Sequence, residues 1–299
     1  MKFIISCLSI SLALCVSANA DVFKSFKPES VSPNLKYSTL IWKDAGYSKI
    51  LDSKPAIADE VQLTGGPGLK TELDINLELR TFNSDNCLFA KDKKFVFANM
   101  QLGIPNHPIV PLTATFENCS ISIGKLFEVV THQGQKASNA AYVDLIFKNT
   151  KLQSSGDFVF DIRIPEILAD QKSITGLKFR LEGDSKVKFA GNITVDEMTI
   201  SNARQIQCIF EFVEQDSKVP SISFGGDNNN IAASRLNFVF SENIKDGEYT
   251  LFDFNSFEGD FSKIYVNDIK IPFNTKIRTN KKFVTLVKTK NSIVAKVEK

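Results

Sequence analysis

Few residues in this 299-residue chain have the type and spacing that chemistry needs. It has two histidines, His107 and His132, and one tryptophan, Trp42. His107 lies between prolines in I-P-N-H-P-I-V-P, and His132 lies in T-H-Q-G-Q; neither has a sequence partner that would mark a nucleophilic triad. Gly65 to Thr71 lacks the Gly-Lys-Thr order of a phosphate loop and is not followed by an apolar helix, so it reads as a turn. Glycoside chemistry needs two carboxylates set across a sugar, and the pairs Asp157 with Asp161 and Asp196 with Glu197 are offered for that role. Solvated strand edges explain them more simply. Asp227 followed by Asn228, Asn229 and Asn230 offers oxygen ligands but not the spaced acidic loop that holds calcium. No catalytic, cofactor-binding or metal-binding residue is therefore assigned. Asn118-Cys119-Ser120 and Asn192-Ile193-Thr194 are glycosylation sequons, relevant only in a eukaryotic source.

Cysteine usage depends on how the chain begins. Lys2, the apolar run Phe3 to Val16 and the small-residue end Ala18-Asn19-Ala20 read as a signal peptide over 1–20, cut before Asp21. Leu14 is too large for a lipidation site ending at Cys15. Export leaves Cys87, Cys119 and Cys208. An oxidising compartment suggests one disulfide and one buried thiol. Cys87 and Cys119 are offered as neighbours across one repeat, and Cys208, alternating with Ile206 and Phe210, as the thiol. No two cysteines have the short spacing of a zinc-chelating pair. The formal charge is +2, so net charge gives no field to recruit nucleic acid, and no later stretch is apolar for long enough to span a membrane.

The elements that would position any site are strands. Leu73, Ile75, Leu77 and Leu79 alternate with polar residues. So do Phe95 and Phe97, Ile121 and Ile123, the set Phe158, Phe160, Ile162 and Ile164, then Val187 and Phe189, Ile193 and Val195, and Ile222 and Phe224. Helical spacing is confined to Tyr47–Val61 and Pro165–Lys172. The segments T-F-E-N-C-S-I-S-I and I-F-K-N-T-K-L match in register, with L-K-F-R-L-E-G behind them. Their phenylalanines, Phe116, Phe147 and Phe179, are separated by 31 and 32 residues, and the same interval reaches back to Phe82 and on to Phe210 and Phe240. One inward aromatic and one polar turn residue per round is the mark of a stacked β-coil.

Leu236 to Phe254, followed by F-E-G-D-F-S-K-I-Y-V-N-D, resembles the closing segment of the passenger domains of autotransporter-like exported bacterial surface proteins. The matching positions are Gly247, Tyr249, Thr250, Leu251, Phe252, Gly259, Asp260 and Phe261. The end of this chain, V-A-K-V-E-K, lacks the alternating aromatic strands of a translocation barrel. The alternation makes the chain mainly β, and the repeat together with the resemblance implies a right-handed parallel β-solenoid (β-helix) over 21–235, closed by capping strands over 236–299; an antiparallel β-sandwich is the alternative.

The function expected with that fold is a non-enzymatic, secreted or cell-surface protein of adhesin or matrix type. It would display loops to a host or cell-surface glycan or protein. The alternatives are a carbohydrate-active β-helix lyase or hydrolase, and a periplasmic β-sandwich binding or structural module.

Overall fold

The computed structural model describes residues 21–26, 34–65, 68–103, 112–132, 141–163, 174–197, 205–229, 234–256 and 261–299. The segment 1–20, His107 and Pro165–Lys172 lie outside them. The chain begins with β1 (Val22–Phe26), β2 (Asn34–Lys36), β3 (Ile41–Lys43), β4 (Ile50–Leu51) and β5 (Glu60–Leu63). It continues through β6 (Lys70–Glu72), β7 (Leu77–Ser84), β8 (Cys87–Lys91), β9 (Lys94–Leu102), β10 (Leu112–Glu117), β11 (Ser120–His132) and β12 (Ala141–Lys148). Next come β13 (Lys151–Ser154), β14 (Asp157–Arg163), β15 (Ile174–Glu182), β16 (Lys186–Phe189), β17 (Ile193–Glu197), β18 (Gln205–Val213) and β19 (Ser221–Phe224). The last are β20 (Ser234–Val239), β21 (Gly247–Phe254), β22 (Phe261–Val266), β23 (Ile269–Lys270), β24 (Lys276–Thr279), β25 (Lys282–Lys288) and β26 (Ser292–Glu298). No α-helix occurs among the described residues; Tyr47–Val61, expected to be helical, holds turns, β4 and the start of β5.

These strands form two sheets. The first runs β24-β25-β26-β21-β19-β16-β13-β11-β9-β7-β5-β1-β3-β4, with β14 and β17 extending it beside β11. The second runs β2-β6-β8-β10-β12-β15-β18-β20-β22-β23. From β6 to β13 successive strands alternate between the sheets, and each pairs in parallel with its counterpart one round later. Among the described strands, antiparallel pairing is confined to the first, β1-β3-β4, and to the closing ones, where β26 joins β21, β24-β25-β26 form a meander and β23 folds back on β22. The wholly antiparallel sandwich is thereby excluded.

Parallel register keeps like residues above one another, so the core repeats. Phe116 lies opposite Phe147, and Phe179 opposite Phe210. Ring centroids are 5.7 Å apart in the first pair and 5.4 Å in the second. Phe189 and Phe224 do the same in the first sheet at 5.3 Å, while Phe158 meets Phe179 edge-on across the two sheets at 5.1 Å. Each fully buried phenylalanine contributes about 1.5–3 kcal/mol. The 31-residue interval joins β10 to β12 and β15 to β18 in the second sheet and β11 to β13 and β14 in the first, but it does not reach the outer phenylalanines: Phe82 lies on β7 of the first sheet, opposite Met100, and Phe240 lies just past the end of β20. The alternation at Leu73–Leu79 also spans a corner rather than one strand, which leaves Ile75 40% exposed.

Four passages from second to first sheet turn on a residue with left-handed backbone. Asp92, Asn118, Asn149 and Gly183 follow β8, β10, β12 and β15 with φ of 55°, 52°, 47° and 62°. Short polar side chains and glycine tolerate that region. Each of these residues donates its N–H to the strand one round on: Asp92 to Glu117 O, Asn118 to Lys148 O, Asn149 to Glu182 O and Gly183 to Val213 O, at 2.8–3.0 Å. Side chains join the corners too, with Asn118 Nδ2 donating to Asp92 Oδ1 and Asn149 Oδ1 accepting from Asp184 N–H, both at 3.0 Å. The residues that follow form a buried stack in which Cys119 N–H donates to Thr150 Oγ1 and Thr150 N–H to Ser185 Oγ.

Beyond β13 and β16 the chain makes a second kind of corner at Gly156 and Gly191. Gly226 continues the row, with Gly191 N–H donating to Gly156 O and Gly226 N–H to Gly191 O. A Cβ at Gly156 would lie 1.5 Å from Lys125 O, so no other residue fits. Gly156→Ala should cost about 3 kcal/mol or more in urea unfolding, because the obstacle is backbone. Gly68→Ala, where a Cβ meets nothing within 4 Å, should stay within about 0.5 kcal/mol of the parent. Equal effects at the two positions would contradict the corner packing.

Candidate functional site

The outward face of the second sheet gathers its charges into an ordered belt. Lys91 pairs with Glu117 at 2.5 Å, and Lys148 with Glu182 at 3.6 Å. Arg180 bridges Glu182 at 2.5 Å and Glu211 at 3.1 Å, and Lys178 reaches Glu211 at 3.3 Å. Beyond them Asn237 donates to Asp268 at 2.9 Å, while Arg235 pairs with Asp268 at 3.5 Å and lies 4.1 Å over the ring of Tyr265. The parallel register creates this belt, since it sets Arg180 opposite Glu211, Asp144 opposite Lys178, and Glu117 opposite Lys148. Exposed pairs contribute about 0–1 kcal/mol each, so the belt acts more on strand alignment than on stability.

Two carboxylates stand out within it. Glu211 is only 15% exposed, under Lys178 and Arg180. Burial pushes the Asp144 carboxyl above the ordinary carboxylate range; nearby Lys178 opposes the rise and Glu211 adds to it. Beside Asp144 the face opens into a groove of about 290 Å³, lined by Lys70, Cys87, Leu88, Phe89, Thr113 and Thr115, with Phe89 40% exposed. This combination of flat sheet, half-buried acid, cations and one open aromatic can hold a polar ligand by hydrogen bonds and ion pairs. A carboxylate already bridged by Lys178 and Arg180, as Glu211 is, makes a poor general base.

The residues singled out in the sequence do not converge here. His132 ends β11 of the first sheet, opposite Arg163, and Asp157 is exposed at the start of β14. Asp161 follows on β14, while Asp196 and Glu197 lie on β17, with Asp161 opposite Asp196. Gly65 sits in the turn between β5 and β6 with φ 130°. The Asp227–Asn229 oxygens are engaged in packing: Asn229 is buried, accepts from Ile193 N–H and donates to Gly226 O and Ser256 O, while Asp227 accepts from Asn255. Among the described residues no group of three His, Cys, Asp or Glu is placed to hold a metal ion. The sequon residues Asn118 and Asn192 both serve the corners, Asn192 Oδ1 accepting from Asn228 N–H.

The proposed Cys87–Cys119 pairing does not form. Cys87 begins β8, opposite Lys70, and its sulfur accepts from Thr113 N–H at 3.4 Å. Cys119 is buried at the far corner, past the end of β10. The step from β8 to β10, with Leu88 opposite Ala114, is shorter than the step from β10 to β12, with Ala114 opposite Leu145, so a 32-residue separation overshoots the register. Cys208 is buried on β18, as its alternation indicated. The Asp144–Glu211 belt was missed because its members are far apart in sequence and meet only through register; the charged alternation D-L-I-F-K and K-F-R-L-E was its one visible sign.

No protein-family model, no curated protein and no solved structure matches this chain. Among the described residues no helix is long and apolar enough to cross a membrane.

Two outcomes test this geometry. Alkylation of the unfolded protein without reductant should label Cys87, Cys119 and Cys208 alike. A single labelled thiol among them would restore the disulfide. A carboxyl whose folded pKa is raised favours the folded state when protonated and weakens it once ionised. Asp144→Asn should therefore raise the unfolding midpoint at pH 7, and the gain should vanish as pH falls to the unfolded carboxyl value of about 3.9. A midpoint lowered at pH 7 but unchanged at low pH would mean that the Lys178 attraction outweighs burial.

Proposed function

We propose that this chain is a non-enzymatic, exported β-solenoid of adhesin or matrix type, secreted or held at the cell surface, that presents its faces and connecting segments to a glycan or protein partner. The observation that carries this reading is the long succession of in-register parallel steps from β5 to β22, in which the chain returns to each sheet one round further on. Such a winding, taken as right-handed, builds an extended scaffold from local contacts and gives it long, flat, regular faces. The pairing of acid with base along the second sheet favours display over catalysis, since acid–base work needs a carboxylate not already held by a cation.

The residues expected to cap the stack support a closing role for the C-terminal segment. Leu251 and Phe261 are buried, and Tyr249 is half-buried with its hydroxyl donating to Lys245 O. Gly259 and Asp260 of the autotransporter-like motif lie outside the described residues. The parallel pairing itself runs past Leu236 as far as Val266, and the antiparallel strands β23–β26 close it.

The intact protein should be recovered outside the cytoplasm with Asp21 as its first residue. Incubated with a panel of polysaccharides and surface proteins, it should retain at least one without releasing new reducing ends or unsaturated sugar termini. Release of either kind of end would replace the scaffold reading with the carbohydrate-active one.

A further inference from the structure

The outward face of the first sheet is built differently from that of the second. Between β9 and β19 its residues form three rows across the strands. One row places Lys94, Ser120, Lys151, Lys186 and Ser221 side by side, and the next places Val96, Ser122, Gln153, Lys188 and Ser223. The third is a shelf of small residues, Ala98, Gly124, Ser155, Ala190 and Gly225; a Cβ on Gly124 would sit 3.5 Å from Ala98 Cα. These three rows contain no carboxylate; further along β11, Glu128 is half-buried opposite Gln101. Glu78 on β7 and Asp253 on β21 lie just beyond the rows at either end. Lys94, Lys151, Lys186 and Lys188 are exposed and, among the described residues, none is in an ion pair.

Parallel register places Lys151 directly against Lys186, one strand spacing of about 4.8 Å away. Like charges set directly opposite oppose sheet formation, and a Ser or Thr there would remove the repulsion. An anion laid along the row would relieve it. The row also borders a depression of about 500 Å³ at the corner, lined in part by Lys93, Lys94, Lys151, Asn118, Asn149 and Asp92. The Asp92 carboxylate is held there by Asn118.

We propose that this face binds an acidic polysaccharide running across the strands. Lys94, Lys151, Lys186 and Lys188 hold its carboxylate or sulfate groups, Ser122, Gln153 and Ser223 reach its hydroxyls, and its rings lie on the small-residue shelf. The strand spacing is close to the advance of one sugar ring along an extended chain, so two successive acidic sugars meet Lys151 and Lys186, and a third, two strands on, meets Lys94. The outward rows of this face carry no aromatic side chain and no arginine, which argues against single-stranded nucleic acid, whose bases stack on aromatic rings. They also lack the exposed large apolar residues that enter a lipid surface.

This inference rests on the display reading above and names the ligand class of one face. Equilibrium binding of the intact protein to heparin, polygalacturonate and neutral dextran at two salt concentrations tests it. At least one acidic chain should bind, at least tenfold more weakly at 200 mM than at 50 mM salt, and dextran should not. Heparin alone would mark the site as sulfate-selective, and polygalacturonate alone as carboxylate-selective. Replacing Lys151, Lys186 and Lys188 together by Ser should lower affinity at least tenfold. Replacement by Arg should preserve binding, and Lys270→Ser, exposed on β23 of the other sheet, should leave it unchanged. Unchanged affinity in a folded Ser variant would overturn the proposal. So would tighter binding to an RNA oligomer or to anionic phospholipid vesicles than to either acidic glycan. Cleavage of a bound chain would overturn the non-enzymatic reading but leave the site standing. Retention of a surface protein with no acidic glycan bound would do the reverse.

Discussion

Everything in this fold depends on the corner at which the chain leaves the second sheet. At Asn118, Asn149 and Gly183 the backbone enters the left-handed region and its N–H reaches the strand one round on. That one hydrogen bond fixes the height of the next strand, and height fixes register. Because the side-chain period of a strand is two, a slip of one residue would turn Phe147 and Phe179 outward and Lys148 and Lys178 inward. The left-handed corners and the phenylalanine stacks therefore hold the same alignment from opposite ends. The buried chain Cys119–Thr150–Ser185 ties the two together, since Thr150 Oγ1 also donates to Phe116 O and Ser185 Oγ to Phe147 O.

Once register is fixed, the two outer faces follow from side chains that are distant in sequence. On the second sheet, register sets acids opposite bases, and the face neutralises itself through Glu117, Glu182 and Glu211. On the first, the same geometry brings lysines together and leaves them among serines and small residues. A single net charge near zero describes neither face. What matters electrostatically is the distribution within about one Debye length, ~8–10 Å, which covers only two strand spacings.

Much of this was legible in the sequence. Alternation identified the inward residues, and Phe95, Phe97, Ile121, Ile123, Phe158, Phe160, Val187, Phe189, Ile222 and Phe224 are all buried. The matched F-E-N and F-K-N segments located real corners, because only a few residue types suit left-handed backbone and Asn118 and Asn149 are among them. The error lay in treating the interval as uniform. Early rounds are shorter, with Leu77 opposite Phe95 and Leu88 opposite Ala114, so an interval measured at Phe116–Phe147 misplaced Phe82 and wrongly paired Cys87 with Cys119. The lysine row and the Asp144 belt were invisible for a related reason: each is one residue per strand, and adjacency across strands is a property of register that no local window contains. The Tyr47–Val61 spacing misled because short strands and turns at the first end put Val61 and Leu63 inward while leaving Ile50 and Ile57 outward.

The ends of the stack follow from the same physics. A parallel ladder that stopped at β21 would expose a full strand edge, and such an edge templates association. Here β26 runs antiparallel on β21, β25 on β26 and β24 on β25, so the ladder changes direction before it ends. Its last strand carries Lys276 and Arg278, Lys276 is paired with Glu298, and Lys282 with Asp246 at 2.6 Å. At the opposite end the first sheet finishes on β4, only two residues long, and the second finishes on the three-residue β2. Beneath them Phe23, Tyr37 and Trp42 pack together, with Tyr37 and Trp42 5.3 Å apart. The single tryptophan therefore closes this end of the described core, against Phe23 and Tyr37. The two ends solve one problem differently: one reverses strand direction and adds charge, while the other shortens its strands until too little backbone remains to pair.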